Sequence, residues 1–97
     1  MIIVHDTCVC KPGNASKVAK LFKEVMANNK EITTIMTDMT GQYNRVIMVS
    51  QFENLTAYEK MMEAYKNPTE EQTQQFAKMQ GYTETYQTGS REVYQVW

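Results

Sequence analysis

The chain has 97 residues, 42% of them hydrophobic and 22% charged, which suffices for one folded domain and not for two. Ten lysines and arginines against eleven aspartates and glutamates give a formal net charge of −1, which excludes the strongly basic balance that would by itself indicate a nucleic-acid-binding protein. No apolar run approaches the roughly 18–20 residues that span a bilayer, and His5 and Asp6 interrupt the apolar N-terminus too early for a signal peptide. We therefore expect a single domain over residues 1–97, in the cytoplasm, with neither nucleic acid nor a membrane as partner.

The first predicted strand covers residues 2–10, which are rich in β-branched side chains and end at the stop signal Lys11-Pro12-Gly13. Asn14 is then a candidate cap for a first helix, which we expect to fray near Asn28-Asn29. The apolar residues of this helix recur at spacings of three and four and so share one face: Val18, Leu21, Phe22, Val25 and Met26.

Two strands and a second helix follow along the chain. Residues 32–39 alternate loosely and lead into a predicted turn over residues 40–44. Residues 45–52 are apolar on both faces, which is typical of a strand in the middle of a covered sheet. Asn54 is a good cap for the second helix, and Asn67-Pro68 ends it. The inner face of this helix falls within an arc of roughly 120° and comprises Leu55, Tyr58, Met61, Met62 and Tyr65.

Residues 69–88 allow two interpretations. Residues 69–72 have the form of a capping box, and Phe76, Met79, Tyr82 and Tyr86 share one arc, which favours a third helix that runs to Thr88. The alternative is a strand through residues 83–86 with a hairpin turn at Gly89-Ser90. We favour the helix because the apolar period continues and the glycine at position 81 costs only about 1 kcal/mol. The last predicted strand covers residues 91–97.

The predicted order of elements is strand, helix, strand, strand, helix, helix, strand. This order is that of a ferredoxin-like α+β fold, βαββααβ, with a four-stranded antiparallel sheet. Both long crossovers place their helices on the same face of the sheet. The opposite face carries Ile3, His5 and Val9 and has no cover within the chain. A second copy is the simplest cover, so we predict a homodimer that forms through this face of the sheet.

Four segments carry a resemblance to a known superfamily: Lys11-Pro12-Gly13, Gln51-Phe52-Glu53-Asn54, Tyr58 and Gly89-Ser90-Arg91-Glu92-Val93-Tyr94. In these places the chain resembles the dimeric α/β-barrel proteins, especially the small antibiotic biosynthesis monooxygenase and NIPSNAP-like families. The resemblance implies that two sheets face each other in an α/β-barrel dimer, with a pocket between each sheet and its helices. Relatives include cofactor-independent oxygenases, haem-degrading enzymes and isomerases. Because Ala64-Tyr65 stands where haem-degrading relatives have an axial histidine, we expect no cofactor.

Asp6 is the residue best placed for chemistry. Its strand face is otherwise apolar, and the resemblance directs this face toward the pocket. Burial disfavours the charged form of a carboxylate, so we predict that Asp6 has a raised pKa and acts as a base or hydrogen-bond acceptor. The alternative is a carboxylate of the scaffold, bonded to backbone groups or to a cationic partner.

Six side chains are predicted to line the pocket around a small aromatic ligand: Tyr58, Met62, Tyr65, Tyr82, Tyr86 and Arg91. Core packing explains the tyrosines equally well. Arg91 is expected to pair with Glu92 or across the sheet, or else to hold an anionic ligand. Cys8 and Cys10 lie two residues apart on one strand face, which suits neither a disulfide nor a closed zinc site, so we expect buried thiols and no metal.

The favoured function is a small-molecule pocket protein, specifically a cofactor-independent monooxygenase or isomerase that acts on an aromatic or polyketide-like compound. The alternative is a non-catalytic, ligand-binding or structural homodimer whose pocket is merely filled core. A continuous cavity reaching Asp6 would favour the first function, and a filled interior would favour the second.

Overall fold

A computed structural model describes residues 1–41, 43–77 and 86–97, with the backbone alone at residues 75, 76 and 86. In these ranges the elements are β1 (Ile2–Cys10), α1 (Ala15–Val25), β2 (Ile32–Thr37), β3 (Arg45–Phe52), α2 (Leu55–Lys66), α3 (Glu70–Ala77) and β4 (Tyr86–Gln95). The strands form one sheet in the order β2-β3-β1-β4, and each neighbouring pair is antiparallel. The predicted ferredoxin-like α+β fold is confirmed.

Local signals placed most element boundaries correctly. The bounds of β1 and β3 are those predicted. Asn54 caps α2 as expected, because its side-chain oxygen accepts a hydrogen bond from the Ala57 amide at 2.9 Å. The capping box at the start of α3 is complete: the Gln72 amide donates to the Thr69 hydroxyl at 3.2 Å, and the Gln72 side chain accepts from the Thr69 amide at 3.0 Å.

Two local predictions were wrong. Asn14 precedes α1, but its side chain makes no capping bond. Its amide group donates instead to the carbonyls of Lys11 and Pro12, both at 3.3 Å, and so it stabilises the preceding turn. Strand β2 ends at Thr37 and not at Met39, because Asp38 turns to bond with Arg45 at the start of β3.

The largest difference concerns the end of the predicted third helix. Residues 86–88 belong to β4, so a helix that runs to Thr88 is wrong, and the last strand begins five residues earlier than predicted. Gly89 pairs with Cys8, and Ser90 pairs with Thr7, which places both inside the strand and not in a hairpin turn. When residues 86–90 pair with β1, their backbone N–H and C=O groups are hydrogen-bonded. This stabilises the strand more than the weak helical period of the sequence stabilises a helix. Tyr82 and the rest of residues 78–85 lie outside the described residues.

The core lies between the sheet and the helices, in two clusters. The first contains Cys8, Cys10, Val18, Phe22 and Val46 and is covered by α1. The second contains Ile2, Val4 and Phe52, against which Ala57, Tyr58 and Met61 of α2 pack. The prediction that both cysteines are buried is confirmed, and burial, with a smaller effect of Cys8, raises the pKa of the Cys10 thiol. Asp6 lies on β1 between the two clusters.

The other face of the sheet carries the alternate residues of each strand. Ile3, His5 and Val9 lie there, half-buried, beside Ile47 and Val49 of β3. None of the buried core residues of the described chain belongs to this face. Within the described residues, moreover, no helix has both the length and the apolar character needed to cross a membrane.

Candidate functional site

The register of the sheet brings Asp6 of β1 beside Arg91 of β4. The two residues are direct cross-strand partners, so their side chains emerge on the same face. The Arg91 Nε donates to one carboxylate oxygen of Asp6 at 2.5 Å. The Asp6 side chain is 20% exposed and that of Arg91 is 44% exposed, so the pair lies at the edge of the interior, where solvent reaches it.

Arg91 also connects the sheet to α2. Its Nη1 donates to the Tyr58 hydroxyl at 3.2 Å and approaches the Met62 sulfur at 3.4 Å. Tyr58 and Met62 are four residues apart and so lie on one face of the helix. The Tyr58 ring packs edge-on against Phe52, with ring centroids 5.4 Å apart. The arginine therefore joins β1, β4 and α2 through one guanidinium group.

Several polar atoms of this group remain available. In the described part of the chain, nothing bonds to the second carboxylate oxygen of Asp6 or to Nη2 of Arg91. The hydrogen bond to Asp6 raises the pKa of Arg91 above its ordinary value, against an opposing effect of burial. The guanidinium is thus a permanent cation, and the site offers one unused acceptor beside one unused donor.

Tyr65 lies elsewhere, at a cavity of about 330 Å³ between the end of α1, α2 and the start of α3. Its hydroxyl accepts a hydrogen bond from the Asn29 side chain at 3.0 Å. Burial raises the pKa of Tyr65; the Asn29 bond opposes the shift, and the charge of Glu31 adds to it. Of the residues predicted to line the pocket, Tyr65 alone is among the described residues that line this cavity.

The structure thus divides the predicted site residues among three places. Asp6, Tyr58, Met62 and Arg91 meet at one cluster, whereas Tyr65 lines the separate cavity. The side chain of Tyr86 and all of Tyr82 lie outside the described residues. Of the two pairings expected for Arg91, the one across the sheet is found, and Glu92 instead accepts from the Tyr94 hydroxyl at 2.7 Å.

The third place is the open face of the sheet. The His5 ring lies edge-on to Tyr94, with centroids 5.2 Å apart, and the hydrogen bond to Glu92 raises the pKa of Tyr94. The sequence reasoning missed Tyr94, although the alternation of β4 places it on the face of Ile3, its cross-strand partner. Asn29 and Glu31 were missed as well, because a loop between a helix and a strand shows no period that would orient their side chains.

Comparisons with known proteins identify the fold. An uncharacterized NIPSNAP domain protein from Burkholderia xenovorans has a TM-score of 0.81 at 10% identity, over 100% of this chain and 95% of that chain. A NIPSNAP family protein from Agrobacterium tumefaciens has a TM-score of 0.78 at 11% identity, over 97% of this chain and 90% of that chain. The chain shares the fold of these proteins.

A putative antibiotic biosynthesis monooxygenase from Deinococcus radiodurans shares this fold, with a TM-score of 0.61 at 14% identity, over 100% of this chain and 93% of that chain. No protein-family model and no curated protein matches the sequence. Because these identities establish a common fold and no common activity, the function must be argued from the site itself.

Proposed function

We propose that the protein binds a small aromatic or polyketide-like molecule between its sheet and α2, beside Asp6, Arg91 and Tyr58. The observation that carries this proposal is the partial use of the ion pair: one carboxylate oxygen of Asp6 and Nη2 of Arg91 have no partner in the described residues. A phenol or enol next to a carbonyl matches this arrangement, because its hydroxyl donates to Asp6 and its carbonyl accepts from Arg91.

We further propose that the bound molecule is a substrate and that no cofactor takes part. Asp6 accepts a proton from an acidic C–H or hydroxyl group of the substrate, and Arg91 stabilises the enolate that forms. In an isomerase the proton returns to a different carbon. In a monooxygenase an activated CH₂ group and O₂ give a carbonyl group and water.

The same ion pair also supports the second candidate, a non-catalytic binding or structural protein. A carboxylate that already accepts a charge-assisted hydrogen bond is well suited to hold β1, β4 and α2 together. In this alternative Asp6 and Arg91 are part of the scaffold. The two candidates differ in what happens to a bound molecule, so the experiment must measure binding and turnover separately.

The homodimer is part of the proposal for either function. It is supported by the open sheet face, which carries Ile3, Ile47 and Val49 among polar residues and which no core cluster of the described chain covers. A cytoplasmic location is supported by the sequence, whose two cysteines do not provide the disulfide framework typical of small secreted domains.

The test uses 1,8-dihydroxyanthrone, a polyketide-like phenol with an acidic CH₂ group, as the probe. Binding to the full chain is measured without oxygen by fluorescence titration, and turnover is measured in air by oxygen uptake against a protein-free control. We expect saturable binding that weakens at least tenfold in Asp6→Asn and in Arg91→Met. The matched controls are Asp38→Asn and Arg45→Met, which alter a second carboxylate–arginine pair and should change binding less than twofold.

Each outcome has a distinct meaning. Turnover that disappears in Asp6→Asn supports the enzyme, and binding without turnover supports the non-catalytic alternative for this probe. Absence of binding, or equal weakening in the Asp38 and Asp6 variants, contradicts a phenol site at this ion pair.

A further inference from the structure

We propose that the cavity beside Tyr65, here called the helix cavity, binds a small alkylammonium ion. At about 330 Å³ it lies at the lower end of the range of roughly 300–1,000 Å³ that is typical of small-molecule sites. It is formed where the end of α1, the loop before β2, α2 and the start of α3 meet. A compact ligand therefore fits it better than an extended one.

The lining combines apolar walls with negative charge. Val25 and Met26 of α1 and Met61 of α2 provide apolar and polarizable surface, and Tyr65 adds an aromatic ring. Alkyl groups on an ammonium nitrogen bury favourably against such surface. An ammonium ion above the face of an aromatic ring gains a further cation–π attraction.

Charge selects a cation for this cavity. Glu31 and Glu71 lie on its rim, and no lysine, arginine or histidine of the described residues lines it. Neither carboxylate forms an ion pair with a cationic side chain in the described part of the chain. Glu31 lines the cavity together with Tyr65, and its charge raises the pKa of Tyr65; the charges of Arg91 and Asp6 also act on that pKa, with opposite signs.

An anionic ligand is disfavoured at the same place. The start of α3 is the nearest source of partial positive charge, but its capping box already uses two backbone donors there. The amides of Thr69 and Gln72 bond to each other's side chains, and the two glutamates repel an anion. A neutral aromatic ligand would gain nothing from the two carboxylates, so the alkylammonium ion is the class that uses the whole lining.

This inference does not rest on the function proposed for Asp6 and Arg91. Asp6 and Arg91 are not among the described residues that line the helix cavity. The hydrogen-bonding atoms on which the proposed function depends belong to Asp6 and Arg91, and none of them belongs to a residue of that lining. Asp6→Asn removes no residue that lines the cavity, so it should weaken alkylammonium binding far less than loss of Glu31 and Glu71, and failure at one site can be told from failure at the other.

The experiment titrates choline chloride into the full chain by isothermal calorimetry, with 3,3-dimethyl-1-butanol as the uncharged probe of the same shape. We expect choline to bind at one site per chain and the alcohol to bind at least tenfold more weakly. The double variant Glu31→Gln with Glu71→Gln should weaken choline binding at least tenfold. Raising the salt from about 20 mM to about 300 mM should weaken it severalfold, since the carboxylates are exposed to solvent.

One control variant separates charge at the cavity from charge elsewhere, and two variants of Tyr65 test the aromatic ring. Glu63→Gln removes an exposed carboxylate of α2 that does not line the cavity, and it should change choline binding less than twofold. Tyr65→Phe keeps the ring and should retain binding, whereas Tyr65→Leu removes the ring and should weaken it. Circular dichroism confirms that each variant is folded. No saturable choline binding, equal binding of the alcohol, or binding that survives the double glutamine variant would overturn the proposal.

Discussion

Two carboxylate–arginine pairs of the described chain differ in how fully their polar atoms are used. At the end of the β2–β3 hairpin, Asp38 accepts from the Arg45 amide at 3.1 Å and from the Arg45 Nε at 3.0 Å, with a different oxygen for each. Asp6 uses one oxygen, for the Nε of Arg91. The Asp38 side chain is 6% exposed, against 20% for Asp6. We call the Asp38–Arg45 pair closed, because both carboxylate oxygens are used, and the Asp6–Arg91 pair open, because only one is used.

The closed pair spans a loop between β2 and β3 whose backbone is strained. The loop that it spans contains Tyr43 and Asn44 at φ values of 70° and 58°, in the left-handed region that side chains other than glycine rarely adopt. Gly41 has a φ of 102°, and a Cβ there would lie 2.8 Å from the Arg45 Nη2. Such strain persists only where surrounding contacts determine it, which here include the bonds between Asp38 and Arg45 and the bonds that Asn44 accepts from the Cys10 and Gly13 amides. The open pair constrains no comparable turn, and this difference favours a scaffold role for Asp38 and a ligand-binding role for Asp6.

The largest expected effect is dissociation of the predicted dimer by a new carboxylate that has no arginine partner. Ile3→Asp places one on the open face of β1, where its cross-strand partners are Gln51 and Tyr94. An unpaired charge buried in an interface costs several kcal/mol, so the variant should be a monomer. Sedimentation velocity at micromolar concentration measures this, with Ser16→Asp on the exposed start of α1 as the control. A wild-type protein that is already monomeric would contradict the dimer.

The loop that the closed pair spans can be strained at its glycine. Gly41→Ala introduces a side chain at a φ of 102° and displaces the flexible end of Arg45. We expect the free energy of unfolding to fall by about 1–2 kcal/mol. Urea denaturation measures the loss. Gly13→Ala is a matched control, because this residue also has a positive φ, of 83°, but nothing lies within 4 Å of its Cβ position. An equal loss in both variants would show that backbone strain alone, without Arg45, accounts for the effect.

The closed pair should also show in the pH dependence of stability. Burial raises the pKa of Asp38, but the hydrogen bonds from the Arg45 side chain and backbone, the Tyr43 backbone and the Arg45 charge outweigh this and lower it. A carboxyl group with a lowered folded-state pKa stabilises the protein above its unfolded pKa of about 3.9 and loses that contribution as the pH falls further. Asp38→Asn should therefore lower the unfolding midpoint at pH 7 and have less effect near pH 3. A loss of equal size at both pH values would contradict the assignment.

The comparison also shows which features the sequence could predict. The closed pair joins residues seven positions apart, and the caps at Asn54 and Thr69 are local too, so their signals lie within a few residues. Strands β1 and β3 were predicted from β-branched composition and clear stop signals. These features depend on short stretches of chain, which a single sequence reports well.

Features that depend on distant pairing could not be predicted in the same way. Asp6 and Arg91 are 85 positions apart, and they meet only because β4 pairs with β1 in one register. A shift of one residue would place Arg91 on the opposite face. The start of β4 was missed for the same reason, because this segment has both strand propensity and a helical period, and pairing of residues 86–88 with β1 decides between them. The position of Asp6 between apolar residues was correct, and its cationic partner was not identified.

The smallest expected change in stability belongs to the open pair, and it is the most informative for function. Asp6→Asn removes a charge-assisted bond to an arginine that is 44% exposed, so we expect the free energy of unfolding to fall by about 1 kcal/mol or less. Arg91→Met and the double variant complete a double-mutant cycle, in which the coupling energy reports the interaction between Asp6 and Arg91.

If the pair belongs to a binding site, binding of 1,8-dihydroxyanthrone falls at least tenfold while stability changes little. A larger loss of stability with unchanged binding would instead assign Asp6 and Arg91 to the scaffold, as the closed pair is. Stabilisation by Asp6→Asn near neutral pH would mean that the carboxylate is desolvated and poorly paired, as the sequence alone predicted.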